Sequence, residues 1–279
     1  MTLAKVLSDG KNILKESNIA DYDVDAWLLL SYITGLNRQQ YLLKMTEEMD
    51  EELTFKYNLL IKKRANRIPL QYITGTAQFY GRDFVVSPDV LIPRFDTEVL
   101  IETALAHLQP GASLLDVCTG SGCILLTLMS EVMDIDGVGI DISVEALRIA
   151  RENATKLSVS ADFREGDLFT PIDEDEKFDL IVSNPPYIAT AVIETLDTEV
   201  KDHEPRLALD GSEDGLIFYQ RIIRDAADYM KKDAYLIFEI GYDQGEAVSN
   251  LLNRYGFTNI FIKKDLNGLD RVVGGQYVR

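Results

Sequence analysis

At 279 residues, with 46% hydrophobic and 27% charged side chains, the chain has the composition of a soluble globular protein long enough for about two domains. Its two cysteines, Cys118 and Cys123, are too few for a disulfide framework, no Cys/His cluster has metal-ligand spacing, and two histidines leave little room for histidine-centred catalysis. The net charge of −18 falls entirely on residues 76–279, because residues 1–75 hold ten basic and ten acidic side chains. Such a balance disfavours a phosphate-bearing partner such as nucleic acid; it suits a basic protein, a cationic cofactor or simply a well-solvated surface.

The first seventy residues read as short helices. Leu3, Val6, Leu7, Ile13 and Leu14 recur at helical spacing, and Val24, Trp27, Leu28 and Leu30 to Ile33 follow an acidic entry at Asp21 to Asp25. A last helix opens on Asp50, Glu51 and Glu52, closes on Lys62, Lys63, Arg64 and Arg67 as the helix dipole favours, and is stopped by Pro69. Lys5, Asp9 and Lys11 interrupt any signal-peptide core, and the apolar run at Ala26 to Leu30 is far too short to span a bilayer. A soluble, reducing, cytoplasmic setting and a monomer are expected.

From Gln71 to Val86 aromatic and β-branched residues around Gly81 predict a hairpin linking two domains, and Asp96 is placed to cap a helix running to Leu108. Beyond Gly111 the pattern alternates. Strands are predicted at Ser113–Val117, Gly137–Ile140, Asp162–Arg164, Phe178–Val182, Ala234–Glu239, Thr258–Ile262 and Arg271–Tyr277. Helices are predicted at about Cys123–Val132, Val144–Leu157, Gly215–Met230 and Gln244–Tyr255. The fold class is therefore α/β, a mostly parallel seven-stranded sheet covered on both faces. The expected organisation is a helical domain over residues 1–70, a hairpin linker over 71–92 and a Rossmann-like domain over 93–279.

Four strand ends hold the candidate chemistry. Asp116 leads into Cys118-Thr119-Gly120-Ser121-Gly122, a Gly-rich turn ahead of a helix, where a ligand can approach backbone N–H groups. Asp141 ends the next strand, 21 residues after Gly120, where a carboxylate accepting ribose hydroxyls belongs. Asp167, before Leu168, ends the third and can take an exocyclic amine of adenine. A dinucleotide fingerprint would want a third glycine where Leu125 stands, and Asp116 would sit badly beside a pyrophosphate; an acid before the turn suits a cofactor carrying an amine and a sulfonium instead. The fourth end is Ser183-Asn184-Pro185-Pro186-Tyr187, where two prolines end the strand and leave carbonyls as open acceptors. Taken alone this is a proline turn closing a strand. Beside a nucleoside site it is a place to hold a substrate's N–H groups.

With these motifs the chain resembles the class I S-adenosylmethionine-dependent methyltransferases, and Asn184-Pro185-Pro186-Tyr187 is similar to their motif for methylating planar amino groups. The resemblance extends over nearly the whole chain to the release-factor glutamine methyltransferase family, through Pro69 to Gly75, Leu91-Ile92-Pro93-Arg94 with Thr97-Glu98, Glu204-Pro205 with Ala208-Leu209, and Glu239-Ile240-Gly241 with Gln244. It implies that Cys118 to Gly122, Asp141, Leu168 and Asn184 contact S-adenosyl-L-methionine, released as S-adenosyl-L-homocysteine. It also implies that Asn184, Pro185, Pro186 and Tyr187 hold a glutamine of a peptide-chain release factor, Tyr187 and Pro186 flanking the amide. Cys118 departs from the family, which usually has glycine there; Phe95-Asp96 and Gly211-Ser212 are milder departures. Gly274-Gly275-Gln276 repeats the tripeptide that the family modifies, read here as a strand or turn. The competing readings are a nucleic-acid amino methyltransferase, since the same motif serves flipped bases, and a non-catalytic cofactor-binding scaffold.

Overall fold

The computed structural model describes residues 1–278, which divide into two compact units. The first unit holds residues 1–76 together with residues 197–203. Its helices are α1 (Leu3–Glu16), α2 (Tyr22–Thr34), α3 (Arg38–Lys44), α4 (Glu51–Ala65) and α5 (Leu70–Thr74). Of the predicted apolar positions, Leu3, Val6, Leu7, Leu14, Trp27 and Leu30 face inward, packing with Ala26, Leu29, Tyr57 and Ile61, whereas Ile13, Val24 and Leu28 are exposed. Asp50 caps α4, its side chain accepting from the N–H groups of Glu52 and Leu53. Helix α4 ends at Ala65, before Pro69, and Arg64 does more than meet the dipole. It is buried, with Nε 2.6 Å from Asp25 and an Nη 2.8 Å from Glu199 of the 197–203 segment.

Residues 71–74 depart from the predicted hairpin. They form the end of α5, entered from Pro69 and stopped by Gly75 in the left-handed conformation (φ 74°). Proline before and glycine after a helical turn outweigh the β-leaning Tyr72 and Ile73. The hairpin itself is narrower, β1 (Thr76–Phe79) and β2 (Arg82–Val85) around Tyr80 and Gly81.

The second unit holds residues 77–196 and 204 onward. After β2 and a 3₁₀ turn at Phe95–Thr97 come α6 (Glu98–Leu105), β3 (Ser113–Val117), α7 (Cys123–Glu131), β4 (Asp136–Asp141), α8 (Val144–Leu157), β5 (Asp162–Glu165) and β6 (Phe178–Ser183). Two short helices in this unit, α9 (Thr190–Ile193) and α11 (Arg206–Leu209), flank α10 (Thr198–Lys201) of the first unit in sequence. Then follow α12 (Ile217–Ala226), β7 (Met230–Glu239), α13 (Gly245–Arg254), β8 (Thr258–Lys264) and β9 (Asp270–Gln276). Asp96 does not cap the α6 helix. It lies inside the 3₁₀ turn, and its carboxylate is drawn 3.2 Å from Arg271 on β9, a partner far along the chain.

The seven strands order β5-β4-β3-β6-β7-β9-β8, parallel from β5 to β7, with β9 antiparallel to both neighbours. Alternate residues serve opposite faces, as a pleated strand requires. Leu115, Val117, Ile181, Leu236 and Phe238 pack with Tyr219, Ile222 and Ile223 of α12. Leu114, Leu180, Val182 and Ile237 pack with Leu100 and Ile101 of α6 and with α7. Strand order reverses between β3 and β6, so their carboxyl ends open the crevice in which α/β sheets bind ligands.

Candidate active site

A cavity of about 440 Å³ lies at that crevice, within the range of ligand sites. The turn after β3 forms its floor. Cys118, Gly120 and Gly122 are all left-handed there, at φ 64°, 55° and 77°. The glycines take this conformation freely, whereas the Cβ of Cys118 costs about 1–2 kcal/mol. Cys118, Thr119, Gly120 and Ser121 line the cavity. Gly122 is the residue before α7 and does not line it.

Asp116 lies beneath the turn, fully buried and outside the cavity wall. Its Oδ2 accepts the Thr119 hydroxyl at 2.6 Å, while Oδ1 has no partner, and burial pushes its pKa up to about 7. It props the turn from below. Asp141 is the half-buried counterpart that lines the cavity, with Oδ2 accepting from Gly120 N–H (2.8 Å) and Oδ1 from Ser143 N–H (2.9 Å). Burial raises its pKa against those N–H groups, and each oxygen keeps a lone pair for a ligand hydroxyl. Asp167 lines the wall beside Leu168, its Oδ2 held 2.6 Å from Arg221 of α12. Ile142, Ala146, Leu168 and Phe218 give that end an apolar lining suited to a flat ring.

On the other side of the reversal, the Ser183 hydroxyl donates to the Val117 carbonyl at 2.6 Å and ties the end of β6 to the end of β3. Asn184 therefore emerges next to Cys118. Asn184 and Pro186 line the cavity; Pro185 is buried behind them, and Tyr187 turns away. The Tyr187 ring packs on the buried core, and its hydroxyl donates to Glu239 Oε1 at 3.3 Å. The Asn184 side-chain amide makes no hydrogen bond to another described residue. It is thus free for a ligand.

The remaining residues of the site carry weaker sequence signals. Arg94 lines the mouth and is paired with the buried Glu204; both lie in segments that sequence alone picks out without a role. Arg221 sits in an amphipathic helix with nothing to mark it. Gln276 of the Gly-Gly-Gln tripeptide belongs to β9, where its amide bonds the Asp233 carbonyl and the Asn259 side chain. At Gly274 a Cβ would come 2.5 Å from the Phe261 ring, so ring packing accounts for the glycine. Among the described residues no group of three His, Cys, Asp or Glu is placed to hold a metal, and no helix is long and apolar enough to cross a membrane.

Residues 5–75 match the PrmC N-terminal domain and residues 108–249 a methyltransferase domain. The chain is 42% identical to the release factor glutamine methyltransferase of Geobacter sulfurreducens, over 99% of this chain and 96% of the relative. It is 40% identical to that of Clostridium botulinum, over 98% of each. Among solved structures, a methyltransferase from Pyrococcus furiosus superposes with a TM-score of 0.55 at 13% identity, over 72% of this chain and 91% of that one, a likeness of fold. The chain belongs to the release factor glutamine methyltransferase family.

Proposed function

We propose that the chain transfers a methyl group from S-adenosyl-L-methionine to the side-chain amide nitrogen of a glutamine in a peptide-chain release factor. The observation that carries this is the free Asn184 amide beside the Gly-rich turn, at the junction of a nucleoside-type cavity and a turn rich in carbonyl acceptors. The residues present fit the cofactor. Asp141 would take the ribose hydroxyls, the wall around Leu168 and Phe218 the adenine, Asp167 its amine, and the Cys118 to Ser121 backbone the methionine end. When bound, S-adenosylmethionine supplies an electrophilic methyl on a sulfonium.

An amide nitrogen is a poor nucleophile because its lone pair is delocalised into the carbonyl, so this site works by geometry. The Asn184 side-chain oxygen and the Pro185 carbonyl each accept one N–H of the substrate amide, with Pro186 against its face. Held this way, the amide nitrogen would be turned toward the cofactor end of the cavity, where bound S-adenosylmethionine would supply the methyl group, and one N–H proton would leave to solvent. Such alignment contributes several kcal/mol, with ~7–11 kcal/mol as a ceiling. Tyr187, anchored to Glu239, holds the turn in shape.

The first unit is the proposed docking module. Val24, Leu28 and Tyr32, four residues apart along α2, remain exposed although that helix already buries Ala26, Leu29 and Leu30. An apolar stripe of that kind suits a protein partner. We place the reaction in the cytoplasm and the enzyme as a monomer. The test incubates the protein with labelled S-adenosylmethionine, release factor and structured RNA. Label on a release-factor glutamine supports the reading; label on RNA alone transfers the site to base methylation, and no label on either makes the chain a binding protein.

A further inference from the structure

Behind the acceptor turn stands a group that the proposed chemistry does not use. Gln244, buried at the head of α13, donates its two amide N–H groups to the main-chain carbonyls of Tyr187 (3.0 Å) and Gly215 (3.3 Å). Its Oε1 accepts the Gly241 N–H at 2.9 Å and lies 3.4 Å from the Tyr219 hydroxyl. The orientation is forced, because Gly241 N–H can only donate and the two carbonyls can only accept. With these partners engaged the amide cannot reach a substrate, and any effect it has on the reaction passes through Tyr187.

The turn is gripped from its other sides as well. A Cβ on Gly215 would fall 2.2 Å from the Tyr187 carbonyl oxygen, so the 211–215 loop closes on the turn as only glycine allows. Ile188 N–H donates to Leu209 O (3.0 Å) and Gly211 N–H to Ile188 O (2.8 Å). Between this grip and Asn184 lie Pro185 and Pro186, whose fixed φ angles leave little slack. A shift at Tyr187 is therefore passed on to the Pro185 carbonyl and the Asn184 side chain rather than absorbed.

We propose that Gln244 is a positioning residue for methyl transfer, setting the acceptor turn so that Asn184 and Pro185 meet the substrate amide at the required angle; the kinetic half of this rests on the function proposed above. Misplacement of about 1 Å in such a site can cost about 10²-fold in rate. Two variants separate positioning from general stability. Gln244→Glu keeps the shape but sets an oxygen against two carbonyls, and Gln244→Met removes all four interactions without adding charge. Leu252→Ala, in the same core but away from the turn, serves as the control of similar thermal destabilisation.

The primary readout, hydrogen–deuterium exchange over residues 184–191, needs no substrate. Both Gln244 variants should exchange there at least about tenfold faster than Leu252→Ala at matched distance from melting. Their kcat on release factor should fall about 10–100-fold, with the cofactor Kd changed by less than about threefold. Protonation lets the introduced acid donate to one carbonyl, so Gln244→Glu should regain part of its kcat as pH falls, relative to wild type. Exchange in the turn no faster than in the control overturns the inference whatever the substrate is. Faster exchange with kcat retained within twofold overturns the kinetic half. If wild-type protein leaves release factor unlabelled while the variants loosen the turn, the proposed function fails and the structural role of Gln244 stands.

Discussion

The buried carboxyl under the cofactor turn gives the structure a pH dependence that can be worked out from its surroundings. Asp116 titrates near 3.8 when unfolded and is pushed up to about 7 by burial in the folded protein, where only the Thr119 hydroxyl bonds it through a side chain. Folding therefore takes up a proton between those values, and stability falls as pH rises through that window, by about 1.4 kcal/mol per unit. Between pH 5 and pH 8 the loss is about 3 kcal/mol. Asp116→Asn has the same shape and cannot ionise. Its amide oxygen can still accept from Thr119, but its N–H groups fall where Oδ1 now has no partner, at a cost of about 1–3 kcal/mol. The variant should be the less stable protein at pH 5 and at least equal at pH 8. The measurement is the difference in Tm, variant minus parent, by differential scanning fluorimetry, which cancels every other titrating group. It should rise by roughly 6–12 °C across the range. A difference constant to about 1 °C would mean that Asp116 is ionised throughout, and the burial argument would be wrong.

Two further outcomes are expected. Both thiols are half-buried and line the cavity, but desolvation there, together with the nearby Asp141 and Asp116, pushes the Cys118 thiol up, and desolvation pushes Cys123 up to about 12. Both should resist a thiol reagent at pH 8 in the native protein and react at once in denaturant; rapid native labelling at Cys118 would contradict the placement of that turn. In the first unit, Asp25→Ala leaves Arg64 buried with only Glu199 as an ion-pair partner and should cost about 3 kcal/mol in a denaturant melt. Cofactor affinity, built wholly from second-unit residues, should stay within about twofold, and a large loss would show that the two units are coupled.

Much of this was legible in the sequence where the signal is local. A β-rich run ending in Gly-x-Gly, in an acid or in Pro-Pro is fixed by backbone chemistry at that point, so the ends of β3, β4, β5 and β6 could be located without knowing their neighbours. Non-local contacts could not. Asp96 has the residue type of a helix cap, yet Arg271, 175 residues later, claims its carboxylate. Arg64 has the placement of a dipole-matching terminus, yet Asp25 and Glu199 bury it. Tyr187 has the chemistry to flank a substrate, yet Glu239 draws its hydroxyl inward. The helical turn at Leu70–Thr74 differs in kind, since Pro69 and Gly75 bracket it openly while the β-leaning Tyr72 and Ile73 between them mask that signal. Gln244 sits in a recognisable segment, but a side-chain amide that bonds loops at residues 187, 215 and 241 is apparent only once those loops meet.

The central claim is that Asn184 presents a glutamine amide to the methyl donor. Its most direct test is tandem mass spectrometry of release factor after incubation with S-adenosylmethionine and either wild-type protein or Asn184→Ala, alongside calorimetric cofactor affinity for both. Wild type should place one methyl on a single glutamine, and the variant should do so at least about 10²-fold more slowly with cofactor affinity within severalfold. Methylation by the variant at near wild-type rate would contradict the account.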